Sequence, residues 1–291
     1  MGDHIIRATT VGGVRAFAAV TTTLVEEARK RHDCYPVAAA ALGRTMTGAL
    51  LLAVNLKTDE SITIRISGDG PLGEIVTDAH ASGSVRGYVR NPHVELPLRG
   101  NKLDVGAGVG NGQISVTRFT GLKQPFTGNA DLVSGEIAED ITNYLLVSEQ
   151  TPSTVALGVL VQPDLTVTAA GGFMVQALPN ADDEVLSQIE KNIAALPPVS
   201  QLVSEGIDAA GIINRIFAGL PVSMYDEIPL QFECHCSYER VQKVLVSLGE
   251  MEINDILVTD GHAEVCCPFC SEKYQFNKDD LELVLTLIKG E

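Results

Sequence analysis

Residues 230–240 read Leu-Gln-Phe-Glu-Cys-His-Cys-Ser-Tyr-Glu-Arg, and residues 266–276 read Cys-Cys-Pro-Phe-Cys-Ser-Glu-Lys-Tyr-Gln-Phe. The second stretch holds a C-x-x-C knuckle, Cys267 and Cys270, which offers two thiolates from one tight turn that Pro268 helps to fix. Cys234 and Cys236 are the only other pair that can converge on it. Zinc takes four ligands in a tetrahedron, with Zn–S near ~2.3 Å. The spacing therefore predicts one zinc ion held by Cys234, Cys236, Cys267 and Cys270. The 30 residues between the pairs suffice for a helix or two that brings them together. A module of about 60 residues has a marginal apolar core, so metal binding would supply much of its folding free energy.

Other donors fit less well. Cys266 abuts Cys267, and neighbours on a strand point to opposite faces. His235 and His262 read as solvated surface residues, and the isolated Cys34 as a small packed side chain before a helix. The C-x-C pair has its own redox consequence: residues two apart approach disulfide distance in a small, strained ring, and strain makes such a bond labile. Four thiolates are also oxidisable once an oxidant reaches them. A site of this form can act as a sensor in which oxidation makes two disulfides, ejects zinc and melts the module.

Outward from the cysteines, residues 237–248 form a helix with Ser237 as N-cap and Gly249 as its stop, and residues 251–257 a second, short one. Residues 262–265 and 273–276 form a hairpin with the knuckle at its tip, and Asn277 caps a final helix over 279–288. This is the switch module, residues 230–291. Residues 180–229 form a helical linker. Asn180 is placed to cap a helix with Val185, Ile189, Ile193 and Leu196 in one stripe, ended by Pro197-Pro198. A second helix near 207–217 presents Ile207, Ile212, Ile213, Ile216 and Phe217. These stripes require a cover: the main domain, the zinc module or a partner.

Residues 1–179 read as one α+β domain around a largely antiparallel sheet. Strands flank the turn at 11–13, helices cover 23–31 and 37–52, and the second of these is apolar enough to be buried. Short strands follow at 61–67, 73–78, 83–89 and 113–119, with glycine-dense turns at 100–112. A helix at 136–147 precedes strands at 155–161 and 165–169, the latter running on through 171–176. The fold class is α+β: a mainly antiparallel sheet with helices, a helical linker and a small C-terminal zinc domain.

The chain carries a net charge of −16, and residues 180–291 hold 7 Lys and Arg against 20 Asp and Glu. That balance opposes nucleic acid, which needs cations on its phosphates, and repels anionic membranes. No apolar run of bilayer length and no secretory pattern stands out, so a cytoplasmic protein is expected. No catalytic constellation stands out either. Gly171-Gly172 and the glycines at 106–110 lack a phosphate-loop setting. Arg44 and Glu149 are candidates for buried ion pairing.

Phe232-Glu-Cys234-His-Cys236-Ser237-Tyr-Glu239-Arg240 resembles the F-x-C-x-C-S-x-E-R signature of heat-shock protein 33, the redox-regulated bacterial holdase chaperones. Cys267-Pro-Phe-Cys270 through Tyr274-Gln-Phe276 is similar to that family's C-x-x-C-x-x-x-Y-x-F ending. Ala41-Leu42-Gly43-Arg44, Gly68 to Gly73, Tyr88 to Pro92 and Ala170 to Met174 agree as well, so the resemblance spans nearly the whole chain. It implies a non-enzymatic, ATP-independent holdase for unfolding proteins under oxidative and heat stress, inactive or weakly active when reduced and zinc-bound. It implies that oxidation pairs Cys234 with Cys236 and Cys267 with Cys270, that zinc leaves, that the switch and linker unfold, and that the active form is a homodimer. Cys34 and Cys266 lie outside the signature, and Cys266 is placed to compete with Cys267. Two other readings stand beside it. Cys-Pro-Phe-Cys resembles the thioredoxin-type pair, but that chemistry wants a helix directly after the first cysteine, where a strand is expected here. A constitutive zinc-ribbon adaptor for a protein partner is the other.

Overall fold

The structure is a computed structural model that describes every residue except Met1, Thr58, Leu122, Lys123 and Glu291. It divides into two compact units, Met1–Glu233 and Cys234–Glu291. Residues 180–229 lie within the first.

The first unit opens with β1 (His4–Thr10), β2 (Val14–Val20), α1 (Thr22–His32) and α2 (Pro36–Ala53). There follow β3 (Ser61–Gly68), β4 (Glu74–His80), β5 (Ser84–Val89), α3 (Val105–Val109), β6 (Gly112–Phe119), β7 (Phe126–Asp131) and α4 (Ala138–Val147). Strands β8 (Ser153–Val161) and β9 (Val167–Ala177) lead to helices α5 (Asp183–Ala194), α6 (Val199–Ser204) and α7 (Ala209–Ile216). Three short strands, β10 (Val222–Met224), β11 (Ile228–Pro229) and β12 (Gln231–Phe232), complete the unit.

The sequence suggested one sheet; the structure has two large ones. The first runs β10-β1-β2-β9-β8 with β11 also on β1, and the second runs β12-β5-β4-β3-β6-β7. All pairs are antiparallel except β12 on β5. Helix α2 packs against both sheets. Every residue of it except Pro36 and Arg44 is buried, as an Ala- and Leu-rich segment without a polar stripe requires. Small side chains permit the close packing: a Cβ on Gly43 would lie 2.5 Å from Val25 Cγ1 and 3.0 Å from Val159 Cγ2. By length and composition α2 alone among the described helices could cross a membrane, but it is 89% buried inside this fold.

Three local readings are corrected. Residues 105–109, read as turns, form the helix α3 capped by Asp104, whose carboxylate accepts from the Ala107 N–H. Glycine serves close approach on both sides of this contact: a Cβ on Gly108 would lie 2.9 Å from Leu72 Cδ1, and one on Gly68, at the end of β3, 1.9 Å from the Val109 carbonyl oxygen. Asn180 does not cap α5; it sits at φ 64°, and Asp182 accepts from the Glu184 and Val185 N–H groups instead. Strand β7 and helix α6 carried too weak a periodicity to be read.

The apolar stripes of α5 to α7 find their cover on the first sheet. Ile189, Leu202, Ile212, Ile213 and Ile216 pack with Ile6, Ala8, Ala16, Ala18, Phe173 and Val175, on the face opposite α2. The main domain is therefore the cover among the three the sequence left open.

The second unit holds α8 (Tyr238–Leu248), α9 (Glu250–Thr259), the hairpin β13 (Ala263–Cys266) and β14 (Lys273–Phe276), and α10 (Lys278–Lys289). Ser237 and Asn277 cap α8 and α10 as expected. The buried core is Val241, Leu245, Ile253, Phe276, Leu281 and Val284, with Tyr238 stacked on Phe276 at 4.6 Å between ring centroids. So few side chains leave the unit short of apolar burial.

Candidate metal centre

The hairpin of the second unit delivers one pair of sulfurs. Its tip, Cys267 to Cys270, is closed by the Cys267 N–H donating to the Glu272 carbonyl and the Ser271 N–H donating to the Cys267 carbonyl, both at 2.9 Å. Ser271 takes a left-handed φ of 59° to complete the turn. The turn aims backbone donors at sulfur: Cys267 Sγ accepts from the Phe269 and Cys270 N–H groups, and Cys270 Sγ from that of Glu272. The other pair, Cys234 and Cys236, lies just before the Ser237 cap, so the start of α8 fixes its position.

All four sulfurs lie within 4.8 Å of one another. Cys234 and Cys267 are 3.8 Å apart, and Cys236 and Cys270 are 3.3 Å apart. A tetrahedral zinc-thiolate site has sulfurs separated by about 3.8 Å, from its Zn–S length. Burial pushes the Cys267 and Cys270 thiols up from the usual range, and for Cys270 the neighbouring sulfurs add to the effect. Cys267 and Cys270, crowded by two further sulfurs without a cation, thus resist ionisation, while the backbone N–H groups aimed at them favour thiolate. A dication resolves that conflict, and an all-sulfur donor set suits a soft metal in tetrahedral geometry. The residues fit such an ion.

The structure brings together the four cysteines the spacing selected and leaves the others outside. Cys266 is exposed on β13, and His235 and His262 are exposed. Cys34 is buried in the core of the first unit, where loss of solvent pushes its thiol up to about 12. One partner was not singled out from sequence. The Tyr274 hydroxyl donates to Cys236 Sγ at 3.1 Å. The signal was present in the strand alternation that puts Tyr274 and Phe276 on one face of β14. Neither Arg44 nor Glu149 pairs with the other: Arg44 meets Glu136, and Glu149 accepts from Arg118 and from the Tyr144 hydroxyl.

An α+β body followed by a four-cysteine module with the capacity to bind a metal ion defines the class: a two-unit protein with a C-terminal candidate metal centre. The Hsp33 protein family model matches residues 3–277. The 33 kDa chaperonin of Desulforamulus reducens is 49% identical over 291 residues, covering 99% of each chain. That of Bacillus subtilis strain 168 is 46% identical over 283 residues, covering 96% of this chain and 97% of its own. The crystal structure of the 33 kDa chaperonin (heat shock protein 33 homolog) from Thermotoga maritima superposes with a TM-score of 0.91, at 37% identity and 99% coverage of both chains. The chain belongs to the Hsp33 family. The names of these relatives denote chaperones rather than enzymes.

Proposed function

We propose that this chain is a redox-regulated, ATP-independent holdase that binds unfolding proteins under oxidative and heat stress. The observation that carries the proposal is four thiols within 4.8 Å of one another in a unit with six buried core side chains. Cys234, Cys236, Cys267 and Cys270 would hold one zinc ion. Zinc, when bound, cross-links the segment before α8 to the hairpin tip and keeps the sulfurs as thiolates.

The pairing proposed on oxidation, Cys234 with Cys236 and Cys267 with Cys270, follows from the family resemblance and has a physical logic. Bonds within each segment leave the two segments untied. Bonds across, Cys234 to Cys267 and Cys236 to Cys270, would staple the unit closed. Each pair of thiols gives two electrons and two protons to one peroxide, which leaves as two waters while one S–S bond forms. Once the cross-link is lost, the small core cannot hold the unit folded.

Three functional segments are proposed: a client-binding core at 1–179, a linker at 180–229 and a redox switch at 230–291. Unfolding of the switch passes into the linker and frees α5 to α7 from the first sheet. That uncovers Ile6, Phe173 and Val175 on the sheet and Ile212, Ile213 and Ile216 on the helices, apolar surface fit for unfolding clients. The active form is proposed to be a homodimer working in the reducing cytoplasm, without nucleic acid or membrane as partner.

Light scattering from a heat-aggregating client tests this. Suppression only after warm peroxide treatment is the expected result. Equal suppression by the reduced protein would leave a chaperone whose metal is structural, and suppression by neither form would favour a constitutive adaptor.

A further inference from the structure

The inner faces of both large sheets end in arginine at the same place. On β1 and β2, Arg7 lies opposite Phe17 and Thr9 opposite Arg15, so these four side chains share one face. It is the face whose Ile5 and Phe17 enter the main core. On β6 the buried stripe Ile114, Val116 continues into Arg118 by the same alternation. The three guanidiniums line two adjoining recesses of ≈ 290 and ≈ 220 Å³, which share Arg15 and Asn55 in their walls. Leu52 of α2 and Asn55 just beyond its end also line the second recess.

The charge there is not balanced. Arg118 pairs with Glu149. Among the described residues Arg7 and Arg15 meet no carboxylate: Arg7 lies over the Tyr225 ring at 5.7 Å, and the Arg15 Nε–H donates to Gln176 Oε1 at 3.0 Å. The Nε donors of Arg7 and Arg118 are buried without an acceptor. A buried guanidinium donor left unmatched is costly. In a chain of net charge −16, two unpaired half-buried arginines beside a third form a local cationic site.

The geometry points to a binding site for a phosphate-bearing polyanion in this arginine-lined recess. Guanidinium forks match phosphate bidentately, and a phosphate brings three acceptor oxygens where a carboxylate brings two. Two linked phosphates would place one group in each recess. The combined volume falls in the range of small-molecule sites.

The test is calorimetric titration of the reduced full-length chain with inorganic pyrophosphate and, separately, citrate. Wild type, Arg7→Gln, Arg15→Gln and the exposed control Arg215→Gln are compared, so that any chelation of metal is common to all four. The expected result is pyrophosphate binding that Arg7→Gln and Arg15→Gln each weaken by about tenfold or more and Arg215→Gln leaves unchanged. Equal binding by all four, no binding to wild type, or citrate binding as tight as pyrophosphate would overturn the proposal. Because the inner arginine variants can misfold, arginine modification by phenylglyoxal is mapped on wild type with and without pyrophosphate. Protection of Arg7 and Arg15 is expected, and unaltered modification at both would sink the assignment independently of the variants.

Discussion

Asp140 is fully buried, yet its carboxylate accepts from the backbone N–H groups of Val133, Ser134, Gly135 and Ile137. Two of those residues, Gly135 and Ile137, sit at φ near 71° and 73°, so the carboxylate holds a strained loop against the start of α4. Asp140→Ala strands these donors, and chemical denaturation should show the first unit losing about 3–5 kcal/mol. Cys34 makes a different prediction. Burial raises its thiol from 9.0 to about 12. The folded chain therefore keeps it protonated where the unfolded chain ionises it. Its contribution to stability is full below pH 9.0 and falls as pH rises toward about 12. Native-state alkylation at pH 8 should spare Cys34 while denaturant makes it react. Rapid labelling of Cys34 in the folded protein would contradict its place in the core.

At the scale of elements, α7 is the part on which the holdase proposal turns. Ile212, Ile213 and Ile216 are all buried where α7 packs on β1 and β2 of the first sheet and against α5. Ile213→Asp places an unpaired charge in that contact, which is strongly destabilising for the docked helix. The reduced variant should suppress client aggregation without any oxidant. If it stayed as inactive as reduced wild type while hydrogen exchange showed α7 undocked, residues 180–229 would not be the gate. Helix α2 sets the opposite limit. Gly43→Val drives its added methyl groups into Val25 and Val159, from two different elements. Overpacking of this kind costs about 1–3 kcal/mol, read as a lower melting temperature of the first unit.

For the whole molecule, the two units differ in what holds them. The first has a large continuous apolar core; the second has six buried side chains and four sulfurs. Cys234→Ser, or removal of metal by a chelator, should therefore melt residues 234–291 and leave the first unit's transition in place. Calorimetry would show two separable events. A single cooperative loss of both units would mean that the switch is not thermodynamically its own.

Local chemistry made much of this protein legible from its sequence. The caps at Ser237 and Asn277, the stop at Gly249, the alternation of the hairpin and the spacing of four cysteines each depend on residues a few positions apart, and physical rules at that range are strict. The apolar stripes of α5 and α7 were readable too, although not what would cover them. Tertiary structure decided the rest because it joins residues that no local pattern relates. Arg44 finds Glu136 across 92 positions, and Arg15 comes beside Gln176 across 161. The division of strands into two sheets around α2 is of the same kind, since period-two alternation fixes which side chains share a face but not which strand lies next to which. Only that division sets the ends of two inner faces together and leaves Arg7, Arg15 and Arg118 around two adjoining recesses.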